Sequence, residues 1–305
     1  MPSPDAFAPL LDSSHFAIFF LISTLVVFAY TLTILFSTTS LAGKFDKKIK
    51  KANKLGPYII RLAISASFFY AALSNCVFGP ELSLNVFSIG WLIRFLLFII
   101  ALMIFFGVYV EIAALIGIII FITLCFHFGL YMVTYANYLG ELIVLFMFGS
   151  RVLSFDKLFF GNKLFISAFE KYQDLEIPLV RILYGIALLY AGYTIKFQHQ
   201  SLSILVYNEY HLQNFFHASA KFIAAGAGLS EILIGFFIII GFSQRLTILI
   251  SLVFITLSVL YFKELIWPHL MLYGISFSLL INSADKFTLE NYLIPKLRLL
   301  RKRIF

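Results

Sequence analysis

Charged side chains are scarce in this sequence. Asp, Glu, Lys and Arg together make up 12% of the 305 residues, whereas hydrophobic residues make up 61% and the mean hydropathy is +0.97. A water-soluble globule of this composition would expose apolar surface on a scale that causes aggregation. The composition therefore excludes a soluble domain and predicts a polytopic membrane protein.

Cysteine is nearly absent, and the common site motifs are missing. The two cysteines, Cys76 and Cys125, cannot form a CxxC pair, and the sequence leaves open whether they are linked by a disulfide. There is no HExxH or HxxxH spacing, no Gly-rich phosphate loop and no Ser-His-Asp hydrolase elbow. We therefore predict no metal site. The net charge of +8 is explained by membrane topology and contact with lipids, not by nucleic acid.

Apolar stretches long enough to cross a bilayer, which takes roughly 20 helical residues, recur along the chain. We identify nine of them, at about 15–36, 57–78, 88–107, 109–131, 138–154, 178–198, 222–242, 244–263 and 266–283. The sequence therefore predicts an all-α polytopic membrane protein with about nine transmembrane helices.

The basic residues are concentrated on one side of this helix map. They fill the loop from Lys44 to Lys54, the central segment from Arg151 to Lys171 and the tail from Lys286 to Arg303. Loops rich in Lys and Arg face the cytoplasm. We therefore predict a plasma-membrane protein with its N-terminus outside and its C-terminus in the cytoplasm.

The chain contains an internal duplication. Arg61–Ala72 and Arg181–Gly192 share their Arg and a Tyr-Ala pair, and Ser-x-Asp-Lys occurs at Ser154–Lys157 and Ser283–Lys286. Each repeat contains four predicted helices, an even number, so both repeats would cross the membrane in the same sense. The predicted organisation is an N-terminal helix (1–43), a basic loop (44–56), a first repeat (57–161), an interfacial connector (162–177), a second repeat (178–290) and a basic tail (291–305).

The second repeat, residues 178–290, resembles the DoxX-like family of four-helix membrane proteins. The resemblance rests on Arg181-x3-Gly185, Ala191-Gly192-x3-Lys196-Phe197, the segment EILIGFFIIIGFSQR with Glu231, Gly235, Gly241 and Arg245, and the terminal Ser-x-Asp-Lys. The first repeat is a degenerate copy in which Leu97 or a neighbour replaces Glu231. Members of the family include a membrane subunit of a thiosulfate:quinone oxidoreductase, relatives that support methylamine dehydrogenase maturation, and proteins tied to redox or thiol stress. The resemblance therefore implies a redox role.

Glu231 is the first candidate for chemistry. It lies roughly 15 Å into its predicted helix, near the bilayer midplane. An ionised carboxylate without a partner is costly there, so Glu231 is either a proton relay or ligand contact, or a structural ion pair or neutral acid. Arg94 enters the third predicted helix from the same face and is the predicted partner of Glu231.

The histidines form a second group of candidates. All six map to predicted outer helix ends or loops, beside Glu81, Glu141, Glu209 and Glu264: His15, His127, His199, His211, His217 and His269. Neutral imidazole can bind a metal or a quinone carbonyl, and carboxylates can orient it. Ordinary hydrogen-bonded interfacial histidines are the alternative. We predict that His127, His269 and Glu141 line the mouth of a site.

The long outer loop from Gln198 to Ala220 is rich in Leu, Tyr and Phe. Such a loop is typical of a lid over a lipid-soluble ligand, or of an ordinary interfacial helix. The predicted ligand contacts are Lys196, Tyr190, His211 and His217.

The charged residues at the predicted cytoplasmic helix ends have a structural interpretation. These residues are Arg61, Arg181, Asp156 and Asp285, and each Arg would bond terminal carbonyls, lipid phosphate or the other repeat's aspartate. We expect Arg245 to pair with Asp285.

Three functions remain open from the sequence. The leading hypothesis is a membrane subunit of a redox system, or a quinone-linked oxidoreductase, with a quinone-like ligand near the outer face and a redox partner protein. The second is a transporter or export factor for a small molecule or metal. The third is a non-catalytic assembly or scaffold protein.

Overall fold

The computed structural model describes residues 13–39, 41, 44, 48–49, 51–149, 154–156, 169–214, 218–261, 264–282 and 285–304. Over these ranges the chain is helical, with no strand beyond an isolated bridge between Cys76 and Ser83. The predicted all-α membrane fold is confirmed. The α-helices are α1 (Ser13–Ser37), α2 (Gly56–Leu73), α3 (Gly90–Phe106), α4 (Val110–Phe128), α5 (Ala136–Phe148), α6 (Glu176–Tyr193), α7 (Gln200–Glu209), α8 (Ala220–Ile240), α9 (Gln244–Tyr261), α10 (Ile266–Ile281) and α11 (Leu289–Ile304).

Each predicted apolar stretch coincides with one of these helices. Among the described residues, four helical stretches are both long and apolar enough to cross a membrane: Gly56–Leu73, Val110–Phe148, Glu170–Gln198 and Ala220–Ile240. The other apolar helices are shorter, such as Gly90–Phe106 and Ile266–Ile281. The protein is therefore an integral membrane protein, and the crossing of all nine stretches stays a prediction.

Helices α2–α5 form a first unit, and α6 with α8–α10 forms a second. The two units pack through equivalent helices. Gly140 on α5, the last helix of the first unit, lies against Val180 and Leu183 on α6. Gly274 on α10, the last helix of the second unit, lies against Ala63 on α2. The first helix of each unit thus packs on the last helix of the other, in an approximately twofold arrangement.

The same turn occurs in both units at one end of the bundle. We call this end, which contains Arg61, Gly107, Arg181 and Gly241, the basic end. The opposite end contains His127, His199 and His269, and we call it the histidine end. Gly107 ends α3 and Gly241 ends α8, both with left-handed backbone (φ 69° and 65°). The backbone N–H of Asp156 donates to Gly107 O at 3.3 Å, and that of Glu290 donates to Gly241 O at 3.2 Å.

These contacts correct the sequence match at the repeat ends. Ser154 packs on Gly107 and Thr288 on Gly241. The carboxylate of Asp156 accepts from Tyr109 N at 2.6 Å, and that of Glu290 accepts from Gln244 N at 3.0 Å. In three dimensions Asp156 therefore corresponds to Glu290, whereas the sequence match paired it with Asp285. The short Ser-x-Asp-Lys match was wrong because Asp285 has a different contact.

That contact is with Arg181, which is 1% exposed. Arg181 Nε donates to Asp285 Oδ2 at 2.9 Å, Nη1 to Ile238 O at 2.8 Å, and Nη2 to Phe287 O at 3.3 Å. The expected pairing of Asp285 with Arg245 is wrong. Arg245 Nε instead donates to Leu280 O at 3.4 Å. The interpretation of Arg181 as a structural residue that bonds helix-terminal carbonyls agrees with this geometry.

Helix α1 packs on the second unit. Tyr30 is buried, its hydroxyl is 2.9 Å from Thr247 Oγ1, and its ring lies against Phe237 and Phe242. Much of the remaining surface of α1, including Leu25, Val27 and Phe28, is exposed hydrocarbon. An exposed apolar helix surface of this kind suits contact with lipid acyl chains.

Candidate functional site

Glycines bring α6 and α8 into backbone contact. A Cβ placed on Gly185 would lie 2.6 Å from Gly235 O, and one on Gly235 would lie 2.6 Å from Gly185 O. One on Gly192 would lie 3.0 Å from Gly228 O. Small residues at such spacing let membrane helices approach closely without a hydrophobic driving force. Three of these four glycines belong to the motifs that carry the DoxX-like resemblance, and the contact gives them a physical role.

The α6–α8 contact also positions two charged residues. A Cβ on Gly192 would meet Glu231 Cβ at 2.8 Å, and one on Gly228 would meet Lys196 Cβ at 2.6 Å. Glu231 therefore lies over α6, and Lys196 lies over α8. Lys196 is on a π-helical turn, Thr194–Gln198, which extends α6 beyond Tyr193. Such turns are rare in proteins and are frequent at functional sites.

Lys196 lies within electrostatic range of two carboxylates, those of Glu231 and Glu264. Glu231 is half-buried midway along α8. Glu264 lies in the turn between α9 and α10, and 42% of its side chain is exposed. The positive charge of Lys196 therefore acts both on Glu231, midway along α8, and on Glu264 at the histidine end.

Glu264 is held by two further partners. His269 Nε2 lies 3.0 Å from Glu264 Oε2, and Ser258 Oγ donates to the same oxygen at 2.8 Å. His269 Nδ1 is 3.0 Å from Leu265 O. Both ring nitrogens face acceptors, so the ring satisfies both contacts only as the imidazolium. The hydrogen bond from His269 keeps the pKa of Glu264 below its usual range. Ser258 and Lys196 act in the same direction, while burial opposes them.

We call these residues the polar cluster: Lys196, Glu231, Ser258, Glu264 and His269. Negative and positive groups alternate along it, from Glu231 to Lys196, then to Glu264 and His269. The contact of His269 with Glu264, and the opposite charges of Glu231 and Lys196, lower the cost of placing ionisable groups in a membrane protein. Chemically, the cluster offers the ammonium group of Lys196 as a donor for a carbonyl or anionic oxygen, and carboxyl groups that can exchange protons.

The polar cluster contains three of the predicted site residues, Glu231, Lys196 and His269. The structure does not bring Arg94 to Glu231. Arg94 is exposed on α3, which packs on α2 and α4, whereas α8 packs chiefly on α6. The reason is topological, because α3 and α8 are equivalent second helices and each packs on the first helix of its own unit.

The other predicted residues lie elsewhere. His127 is exposed in the first unit, with its ring 4.6 Å from that of Phe87. Glu141 is buried between the units, so these two residues do not form a shared mouth with His269. Tyr190 is half-buried on α6, and His211 is exposed, with Nδ1 3.3 Å from Gln213 Nε2. His217 lies outside the described residues.

Glu264 and Ser258 were not among the predicted site residues. The sequence carried a signal for Glu264, since it precedes His269 by little more than one helical turn at the start of an apolar helix. Ser258 carried none, because a serine in an apolar helix usually bonds its own backbone.

The first unit has a different polar group at the histidine end. Tyr131 donates to Glu81 Oε1 at 3.1 Å, and Tyr135 donates to the same oxygen. Both cysteines are free thiols, and burial followed by the charge of Glu81 raises the pKa of Cys76. A thiol of this kind is a poor nucleophile at neutral pH. The geometry therefore gives no support to a thiol relay through Cys76.

Comparison with known proteins gives one match. The family model DoxX matches residues 177–264, a range that holds Lys196, Glu231, Ser258 and Glu264. The resemblance to the DoxX-like family identified from the sequence is confirmed for this segment. The match covers less than a third of the chain and does not extend to the first unit. No curated protein and no solved structure matches the chain.

Proposed function

We propose that this protein is the membrane partner of a redox system and binds a quinone-like ligand at the polar cluster. The observation that carries the proposal is the α6–α8 glycine crossing, which brings Lys196 and Glu231 together, with the bonded pair of Glu264 and His269 at the histidine end of the bundle. A quinone exchanges electrons together with protons, so its site needs donors for carbonyl oxygens and a route for protons.

The residues present suit such a ligand. Lys196 supplies a charge-assisted donor for a carbonyl oxygen, which is stronger than a neutral donor. His269 uses both ring nitrogens on Glu264 and on Leu265 O, so its role is to hold Glu264 in place. Glu231, in the middle of α8, can hold or release a proton next to Lys196. Glu264 is partly exposed, so its carboxylate can exchange protons with the surrounding water.

We further propose that the polar cluster faces the extracytoplasmic side of the plasma membrane, where a soluble redox partner would dock. The basis is the positive-inside rule, because the basic loops lie at the opposite end of the helices. The N-terminus would then be outside and the C-terminus in the cytoplasm.

Replacing Lys196 by methionine tests the proposed site. We expect Lys196→Met to weaken binding of a short-chain ubiquinone by about tenfold or more, because a charge-assisted hydrogen bond is lost. The measurements are the quinone content of protein extracted in mild detergent, by mass spectrometry, and a titration with the short-chain quinone. Lys221→Met is the matched control, since Lys221 is exposed near the start of α8, and it should bind as the unmodified protein does.

Other outcomes would contradict the proposal. Protein that carries no quinone and does not bind the short-chain compound has no such site. Solute flux through the protein in liposomes would support the transporter hypothesis instead. A stoichiometric protein partner, with neither quinone nor flux, would support the scaffold hypothesis.

A further inference from the structure

A second carboxyl group lies deep in the protein, away from the polar cluster. Glu141 is on α5, at the contact between the two units, and is 2% exposed. Its neighbour Gly140 lies against Leu183 and Val180 of α6. Glu141 Oε2 is buried and has no hydrogen-bond partner among the described residues. A buried polar atom left in this state is costly, and it requires an explanation.

The second unit shows that the fold does not require a carboxyl group at this place. Gly107 and Gly241 end equivalent helices, and Gly140 and Gly274 make equivalent contacts between the units. The two glycines of each pair are separated by the same number of residues, and Glu141 and Ile275 are separated by that number as well. Ile275 is therefore the equivalent of Glu141 in the second unit. Ile275 is 0% exposed and belongs to the hydrophobic core. A hydrophobic side chain therefore fills the equivalent position in the second unit.

Over the residues that the structure describes, no cation is paired with Glu141. Among the described residues, the charge that acts on Glu141 is the like charge of Glu176, at the start of α6. Arg181, on the same helix, is bound to Asp285. The other titratable groups on α5 and on the elements packed against it are Tyr58, Arg61, Tyr70, Glu111, Cys125, His127, Tyr131, Tyr135, Tyr138, Tyr184, Tyr190, Tyr193, His269 and Tyr273.

A carboxylate in a membrane interior must be paired, hydrated or neutral. Among the described residues, the charge that acts on Glu141 has the same sign, and a like charge disfavours a second ionised carboxylate. A carboxyl group that keeps a proton avoids this repulsion and also the cost of burying a charge. The second unit buries a hydrophobic side chain, Ile275, at this position, whereas the first unit buries the polar Glu141. Departures of this kind from normal core packing are expected at functional sites.

We propose that Glu141 is a proton-binding site between the two units, separate from the polar cluster. The inference does not depend on the proposed quinone site, because Glu141 lies on a different pair of helices. Relative movement of the units would change the surroundings of Glu141 and thereby its proton affinity. The proton is the only ligand that the proposal requires.

Infrared difference spectroscopy of the full-length protein tests this inference directly. The spectrum of the unmodified protein minus that of Glu141→Ile should show the carbonyl band of a protonated carboxylic acid at neutral pH. The band should shift within minutes in D2O, as an exchangeable proton requires. Glu209→Gln is the control, because Glu209 is exposed on α7, and its difference spectrum should show the bands of an ionised carboxylate.

Two results would overturn the inference. Carboxylate bands in place of the carbonyl band would mean that Glu141 is ionised and paired. A carbonyl band that does not respond to D2O would mean a static structural acid.

The stability of the same variants gives an independent check. Glu141→Ile restores the hydrocarbon found at Ile275, so we expect its apparent Tm in detergent to stay the same or to rise. A fall in Tm for both Glu141→Ile and the isosteric Glu141→Gln would indicate a structural role and contradict the proposal.

Discussion

Replacement of Arg181 by alanine is expected to lower the free energy of unfolding by about 3–5 kcal/mol, the usual cost of removing one partner of a buried ion pair. The guanidinium group bonds Asp285 and the carbonyls of Ile238 and Phe287, and it is 1% exposed. In Arg181→Ala the Asp285 carboxylate would lose its cation, and the carbonyl at the end of α8 would lose its donor. Unfolding in mixed micelles with increasing denaturing detergent measures the change.

The control for this prediction is an exposed ion pair. Lys286 bonds Asp174, but 73% and 63% of the two side chains are exposed. Lys286→Ala should therefore change stability by no more than about 1 kcal/mol. Arg181→Lys keeps the charge but loses the planar fork, and it should fall between the two. Equal stability of Arg181→Ala and Lys286→Ala would contradict a structural role for Arg181.

The helices could be predicted well because the bilayer imposes a strong pattern of apolar residues. The ends of the helices were harder to predict. The apolar stretch 57–78 continues past Leu73, but the structure turns there, with Asn75 at φ 55° and Cys76 paired with Ser83. Val77 and Phe78 are 1% exposed in this turn. Hydropathy indicates that a segment is shielded from water, but a buried turn is shielded as well as a helix is. The pattern therefore could not show that the helix ends at Leu73.

The candidate site was only partly predictable, because it depends on which helices are neighbours. The sequence identified Glu231 and Lys196, yet it paired Glu231 with Arg94 through the equivalence of their helices in the two repeats. In this bundle the equivalent second helices, α3 and α8, each pack on the first helix of their own unit, so Arg94 and Glu231 are not neighbours. The glycine pattern on α6 and α8 was the better guide, since close backbone approach brings Lys196 and Glu231 to the same crossing.

Replacement of Gly235 by alanine is expected to destabilise this contact between α6 and α8. The added methyl group would lie 2.6 Å from Gly185 O and 2.7 Å from Leu189 N, both backbone atoms that cannot rotate away. Helices α6 and α8 must therefore separate, and we expect a loss of about 1–3 kcal/mol in unfolding free energy, as for other overpacked sites. Separation would also move Lys196 away from Glu231, so binding at the polar cluster should weaken together with stability.

Gly226 provides the matched control on the same helix. A Cβ at Gly226 meets nothing within 4 Å, so Gly226→Ala should leave stability unchanged or raise it by up to about 1 kcal/mol, since alanine favours the helix. Both variants make the same chemical change on α8, and only the contact with α6 differs. If both have the same stability, close packing of α6 on α8 does not hold the second unit together. If Gly235→Ala is destabilised but binds ligand normally, the polar cluster does not depend on the glycine crossing.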